Sequence, residues 1–215
     1  MDIAKAFTYV TEDENWQNKV IITLVLGLIP VVNLAVVGWM LDLIRNMLDG
    51  VAHPMPDWDD LGGQITDRFI AGLMTVIAVV IYMIPFLVLA VCFGALVAIS
   101  DSGFLQIIFS ILTAIYVALI WMPLSIGMMR YSRTRQFSAY TDLSRNINLA
   151  REHLSTLIVL AVFVFVVGIV LGIIGSIPCI GWLINLLSVG VNAIVTGHLT
   201  GQAAVEISRA ARGAG

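Results

Sequence analysis

Residues 154–175 read LSTLIVLAVFVFVVGIVLGIIG, a stretch of 22 residues without a charged side chain. As an α-helix this stretch would be about 33 Å long, enough to cross the ~30 Å hydrocarbon core of a bilayer. The short turn SIPCIG follows at 176–181, and a second apolar stretch returns over 180–200. This part of the chain therefore predicts a helical hairpin in a membrane.

Two earlier pairs of apolar stretches repeat this pattern and give three predicted hairpins. The six predicted helices cover 15–29, 33–48, 67–99, 104–135, 154–175 and 181–212. The two loops that join the hairpins cover 49–66 and 136–153. All 11 lysines and arginines can be placed on the side of these loops, with both termini. Cytoplasmic loops are enriched in Lys and Arg, so we expect both termini to be cytoplasmic. The predicted fold is an all-α, polytopic membrane helical bundle of about six helices.

The composition also indicates an integral membrane protein. Hydrophobic residues make up 60% of the 215 residues and charged residues 12%, with a mean hydropathy of +0.99. Soluble domains are about half apolar and a quarter charged, so we expect one integral membrane domain over 1–215. Cys92 and Cys179 lie in different hairpins without metal-type spacing. A disulfide is possible, but we favour two small apolar residues and expect no metal and no cofactor.

The first hairpin allows a second interpretation. Residues 20–41 could form a single span, which would give five spans and an external N-terminus. Pro30 lies near the middle of that span, and proline inside a helix costs about 3 kcal/mol. The motif GLIP at 27–30 also reappears as GSIP at 175–178, where a turn is required. We therefore favour two short helices, which cross a thinned bilayer or dip into it.

The two predicted inner loops carry opposite charges. The first contains the segment HPMPDWDD at 53–60, with the acids Asp57, Asp59 and Asp60. The second and its flanks contain Arg130, Arg133, Arg135, Arg145 and Arg151. In one interpretation these acids and arginines dock the loops together through ion pairs. In the other, the arginines, with Trp58 as an amphipathic anchor, contact anionic lipid headgroups or a partner protein.

Residues 143–154 predict a further helix, which lies on the membrane surface. Leu143, Ile147 and Ala150 fall on one face of this helix, and Arg145 lies elsewhere. Basic amphipathic helices of this kind lie in the plane of the interface and do not by themselves indicate a function.

The last predicted helix carries a stripe of polar side chains. They recur at helical spacing, as Asn185, Ser188, Asn192 and Thr196. The stripe could line a polar path, but such residues more often bond to neighbouring helices. Small residues recur every four positions on the last two helices, as Gly168, Gly172, Gly197 and Gly201. This spacing predicts close contact between these two helices, or a dimer through one of them.

Several classes of function are discounted by the motifs. The sequence has no Walker loop, nucleophile elbow, HExxH motif or dinucleotide fingerprint. Nucleic acid is not an expected partner, because the basic residues are few and offset by acids. The leading hypothesis is a non-enzymatic membrane scaffold or accessory subunit that associates with lipids, a partner membrane protein or a second copy. The alternative is a small transporter or channel that uses the polar stripe.

Five stretches together are similar to one protein family. They are DIAKAFTY at 2–9, ENW at 14–16, GLIP at 27–30, PMPDWDD at 54–60 and GHLTGQ at 197–202. The chain resembles a prokaryotic family of multi-pass membrane proteins catalogued as domain of unknown function 4013. The resemblance implies a helical fold in the plasma membrane of a prokaryote, and it implies no activity, cofactor or catalytic residue. The chain departs from the family at Asn33, where a glycine is expected in the first turn.

Overall fold

The computed structural model describes residues 1–59, 61–100, 102–178 and 181–213, and these contain helices but no strand. The helices are α1 (Lys5–Thr8), a 3₁₀ helix (Tyr9–Glu12), α2 (Trp16–Leu28), α3 (Asn33–Leu48), α4 (Leu61–Ser100), α5 (Gly103–Thr134), α6 (Ser138–Thr141), α7 (Leu143–Glu152), α8 (Leu154–Gly175) and α9 (Gly181–Gly213). The predicted all-α class is therefore confirmed for the described part of the chain.

Three of these helices are long and apolar enough to cross a membrane. They are the segment Gly62–Val97 of α4, all of α5 and all of α8, whereas α2 is apolar but shorter. The protein is therefore a helical membrane protein. The full number of spans and the side on which the termini lie stay predictions.

The six longest helices of the described chain begin and end within one residue of their predicted positions, except at the start of α4. That helix begins at Leu61 and not at 67. The first turn contains Gly62 and Gly63, and glycine disfavours helix by about 1 kcal/mol relative to alanine. The sequence pattern therefore predicts a later start than the helix has. The predicted inner loop over 136–153 contains two helices, α6 and α7, and α7 matches the helix predicted over 143–154.

The first hairpin is short. Helix α2 has 13 residues and α3 has 16, which gives about 20 and 24 Å, less than the ~30 Å hydrocarbon core. Between them Val31 adopts a left-handed backbone conformation with φ of 72°, which is strained for a β-branched residue. Asn33, where a glycine was expected, is simply the first residue of α3.

Helix α3 forms the centre of the bundle. It packs against α4, α9, α5 and α2, and Trp39, Leu41, Leu43 and Ile44 on it are fully buried. The crossing of α3 with α4 depends on two glycines. A Cβ added to Gly38 would overlap the carbonyl oxygen of Arg68, and one added to Gly72 would overlap that of Leu34. The two backbones therefore touch, and neither position accepts a larger side chain without moving a helix.

The predicted role of the glycines on the last two helices is only partly correct. Gly197 and Gly201 on α9 do make close contacts, but with Met40 and Met47 of α3. A Cβ added to Gly168 of α8 would meet no heavy atom within 4 Å. Helices α8 and α9 do pack against each other, as predicted, but Gly168 and Gly172 do not make this contact, since a Cβ added to Gly172 would also meet no heavy atom within 4 Å.

Candidate functional site

Charged and polar side chains concentrate at one end of the bundle, which we call the charged end. It is formed by the N-terminal segment 1–19, the loop 49–59 and the segment 131–153. An ion pair between Lys19 and Asp57 joins the first two parts, and Arg135 of the third pairs with Asp42 of α3. Most other helix surface is apolar and exposed, as it would be towards lipid.

The segment around Trp58 folds into the charged end. Met55 and Trp58 are buried, and the Trp58 side chain is only 4% exposed. Its indole N–H donates to the Thr23 hydroxyl on α2 (2.9 Å), and the indole N–H of Trp39 donates to the carbonyl of Pro56 (2.9 Å). A hydroxyl within the bundle thus satisfies the polar edge of Trp58, which favours a structural role for this side chain, and its contact with lipid headgroups or a partner stays a prediction.

Lys19 holds this segment to the first hairpin. Its buried ammonium lies 2.6 Å from Asp13 and 2.8 Å from Asp57, and it donates to the carbonyl of Met55 (3.0 Å). All three donors of a lysine ammonium are therefore used, which offsets the cost of burying the charge. The sequence pattern does not indicate a role for Lys19, since a single charged residue in an apolar helix belongs to no motif.

A second ionic centre joins three helices. Asp42 on α3 accepts from Arg68 of α4 (2.8 Å) and from Arg135 at the end of α5. Arg68 also donates to the carbonyl of Asp57 (2.7 Å) and lies over the ring of Trp58, 4.4 Å from its centroid. Arg135 has a left-handed backbone with φ of 54°, an uncommon conformation for a residue other than glycine.

The two loops do not dock in the predicted way within the described residues. Asp57 pairs with Lys19 and not with an arginine of the second loop, and Asp59 is exposed without an ion pair. Asp60 lies outside the described residues. Arg135 instead reaches Asp42, which comes before the first loop. The reason is geometric, because the first loop folds onto α2 and leaves α3 facing the end of α5.

Arg130 organises the second loop from within. It bonds to the side chains of Asp142 (3.1 Å) and Asn146 (2.6 Å). Asn146 is fully buried and donates to the carbonyl of Ala139 (2.9 Å), and the Tyr82 hydroxyl of α4 donates to the carbonyl of Tyr140 (2.8 Å). Arg130 therefore fixes α6 and α7 against α4 and α5, and its contact with a headgroup or partner stays a prediction.

The other three arginines selected from the sequence remain exposed. Arg133, Arg145 and Arg151 make no ion pair and no side-chain hydrogen bond in the part of the chain that the structure describes. Arg145 and Arg151 lie on α7, whose N-terminus is capped by the Asp142 carboxylate accepting from the backbone N–H of Arg145 (3.3 Å). Lipid or partner contact stays a prediction for these three residues.

The polar stripe on α9 is largely bonded to backbone. The hydroxyls of Ser188 and Thr196 donate to the carbonyls of Asn185 (2.7 Å) and Asn192 (2.5 Å) on the same helix. The Asn185 amide donates to the carbonyl of Gly175 at the end of α8 (3.3 Å). Only the Asn185 bond reaches another helix, so the helix-packing and polar-path interpretations both stay predictions.

The N-terminal segment packs on α9 at the charged end. Tyr9 stacks on the buried ring of His198 at 4.1 Å between centroids, and its hydroxyl donates to the carbonyl of Ile194 (2.9 Å). Burial raises the pKa of the Tyr9 phenol, so this hydroxyl stays protonated and a donor. The Gln202 side chain bonds to the backbone N–H and carbonyl of Asp2 (2.6 and 2.7 Å).

Two cavities open on the apolar surface. The cleft, of about 930 Å³, lies between α5 and α8 and is lined by apolar residues that include Ala114, Ala118, Ala161 and Gly168. The groove, of about 650 Å³, lies where α4, α5 and α7 meet and is lined by residues that include Tyr82, Pro85, Tyr116, Leu119, Pro123 and Arg151. Among the described residues, no group of three or more His, Cys, Asp or Glu side chains could hold a metal ion.

Comparison with known proteins identifies the family of the chain. The chain matches the family described as a protein of unknown function, DUF4013, over residues 21–180. No curated protein and no solved structure matches it. The match runs from α2 to the turn after α8, so it includes the Trp58 segment, the Asp42 centre, the cleft and the groove. The resemblance read from the sequence is confirmed, and the chain belongs to the DUF4013 family of proteins of unknown function.

Proposed function

We propose that the protein is a non-enzymatic membrane scaffold or accessory subunit, and that the cleft receives a transmembrane helix of a partner protein or of a second copy. The composition of the cleft walls is the observation that supports this proposal. Ala114 and Ala118 lie one turn apart on α5, and Gly168 lies on α8, where an added Cβ would have no neighbour within 4 Å. Small residues at helical spacing allow a neighbouring helix to approach closely.

Apolar area alone would not favour a helix over lipid in this cleft. Lipid tails are as apolar as leucine, so membrane helices associate through close packing and hydrogen bonds and not through the hydrophobic effect. The small side chains at Ala114 and Ala118 and the open position at Gly168 allow a helix backbone to approach closely between the larger residues of the cleft, a contact that flexible acyl chains match less well. The cleft therefore favours a protein helix as its occupant.

The exposed arginines add an attraction to the membrane surface. Arg133, Arg145 and Arg151 have no partner among the described residues, and anionic headgroups contribute about 1 kcal/mol per basic residue near the surface. We infer that these residues hold the charged end against the cytoplasmic leaflet of a prokaryotic plasma membrane.

Extraction into native nanodiscs, followed by mass spectrometry of the intact particles, tests the proposal. Gly168→Leu fills the cleft, and Gly94→Leu is the matched control, because Gly94 is equally open but lies outside the cleft. We expect a stoichiometric partner or a second copy with the wild type and Gly94→Leu, and its loss with Gly168→Leu. Particles that hold one chain and only lipid in all three samples would contradict the proposal.

The alternative function, a small transporter or channel, has less support. Ser188 and Thr196 bond to carbonyls of their own helix, which leaves few polar groups to line a path. Proteoliposomes that exchange a solute, with the exchange stopped by Asn192→Leu, would favour this alternative and count against the scaffold.

A further inference from the structure

We propose that the groove binds one acyl chain of an anionic phospholipid, whose headgroup lies against Arg151. This site is separate from the cleft. It specifies the lipid association included in the proposed function, but it does not depend on whether a partner helix occupies the cleft. Three observations support it: the contacts that form the groove, the tyrosine hydroxyls that bond within the protein and not into the groove, and the positive charge of Arg151 at the rim.

Two prolines lie at the groove on neighbouring helices. Pro85 of α4 and Pro123 of α5 both line it, and proline inside a helix removes one backbone hydrogen bond and bends the axis. The Tyr116 hydroxyl donates to the carbonyl of Tyr82 (2.9 Å), one turn before Pro85. A side chain of α5 is thus bonded to the backbone of α4 just before Pro85, so contacts within the hairpin hold the groove together.

The tyrosines that line the groove keep their hydroxyls within the protein. Tyr82 donates to the carbonyl of Tyr140 (2.8 Å), Tyr116 donates to that of Tyr82, and the Tyr140 hydroxyl bonds with that of Thr75 (2.8 Å). The rings and the neighbouring aliphatic side chains therefore present hydrocarbon to an occupant. A volume of about 650 Å³ falls within the range of ligand pockets.

The position of the groove favours a lipid over a soluble ligand or a helix. Leu119, on its α5 wall, is 66% exposed and belongs to a helix long and apolar enough to cross a membrane. Residues of α7, such as Ile147 and Ala150, line the groove on the side of the charged end. A transmembrane helix that ran along the groove would meet α7, whereas an acyl chain can end there.

The rim supplies the charge that selects the headgroup. Arg151 lines the groove, is exposed and has no ion pair or side-chain hydrogen bond in the described part of the chain. Arg145 lies on the same interfacial helix, while the nearby Asp142 is already paired with Arg130. A phosphate in the interface at the groove would therefore meet the unpaired guanidinium of Arg151, which favours an anionic over a zwitterionic headgroup.

The experiment uses the full chain in nanodiscs that contain equal amounts of phosphatidylglycerol and phosphatidylcholine. After transfer to detergent, native mass spectrometry counts the lipids that stay bound. Leu119→Trp fills the groove, and Leu112→Trp is the control, because Leu112 is an exposed leucine on the same helix that does not line the groove. We expect one retained phosphatidylglycerol in the wild type and in Leu112→Trp, and at least a fivefold loss in Leu119→Trp.

A second pair of variants tests the headgroup. Arg151→Gln should lower the ratio of bound phosphatidylglycerol to phosphatidylcholine about fivefold, which corresponds to about 1 kcal/mol for one basic residue. Arg133→Gln removes another exposed arginine, which does not line the groove, and should leave the ratio unchanged. Equal lipid retention in Leu119→Trp and wild type, or equal ratios in Arg151→Gln and wild type, would overturn the proposal. Gly168→Leu should not alter this lipid, which separates failure at the groove from failure at the cleft.

Discussion

The guanidinium of Arg135 bonds to the carboxylate of Asp42, which lies 93 residues earlier in the chain. The second oxygen of the same carboxylate accepts from Arg68. One aspartate on the central helix α3 therefore fixes the start of α4 and the end of α5. This centre sits beside Trp58, which Arg68 covers, so the acidic segment of the first loop is held in the same arrangement.

Asp42→Asn should destabilise the protein strongly. The amide keeps the size of the side chain but leaves two guanidinium groups near one another without a countercharge. Removal of one partner from a buried ion pair costs about 3–5 kcal/mol, and the partial exposure of Asp42 places the expected loss at the lower end, about 3 kcal/mol. Thermal unfolding in nanodiscs should show a clearly lower midpoint. Asp59→Asn, at an exposed acid that pairs with no described residue, should leave the midpoint unchanged.

Gly72→Ala should also destabilise the fold, for a steric reason. The added methyl group would overlap the carbonyl oxygen of Leu34, so α4 would have to move away from α3. Overpacking of this kind costs about 1–3 kcal/mol. Gly94→Ala, on the same helix in open space, should be neutral or slightly stabilising, since alanine favours helix. Equal midpoints for the two variants would show that the α3–α4 crossing is looser than described.

The extent of the helices could be read from the sequence, because hydropathy and proline act locally. The breaks at 29–33 and 176–181 follow from Pro30 and from the change in hydropathy. The start of α4 was placed too late for an equally local reason, since the two glycines of its first turn weaken the pattern. The all-α class and the family followed from the same local features and from the motif around Trp58.

The partners of the charged groups could not be read in this way. The pattern drew attention to Asp57 and Trp58, but Lys19 and Thr23, which bind them, lie on a helix 35 or more residues away. Which face of a helix meets which neighbour is set by packing of the whole bundle. For the same reason, the small-residue spacing predicts the contact of α8 with α9 but does not show that Gly168 lies away from this contact.

Trp58→Ala should cost about 3–5 kcal/mol, as expected for a large aromatic side chain removed from a packed core. The variant loses the bond to Thr23 and the ring beneath Arg68 as well. Trp182→Ala is the control, because that side chain is 65% exposed. Thermal midpoints of both variants decide between a structural anchor and a membrane anchor. If Trp58→Ala kept the wild-type midpoint and only weakened lipid binding, the residue would be a headgroup anchor after all.

Cysteine labelling should place the charged end in the cytoplasm. In a Cys92→Ser, Cys179→Ser background, an impermeant maleimide should modify Glu14→Cys and Arg145→Cys in inverted vesicles but not in intact cells, because basic segments stay inside. Gly103→Cys, where a side chain meets open space, should react from the opposite side.

Glu14→Cys is the variant that distinguishes two helices in the first hairpin from a single span. The structure separates α2 from α3 and packs the N-terminal segment on the charged end, through Tyr9 and His198, so position 14 and position 145 should share one side. Labelling of Glu14→Cys in intact cells, with Arg145→Cys still protected, would instead mean that residues 20–41 cross the membrane as a single span.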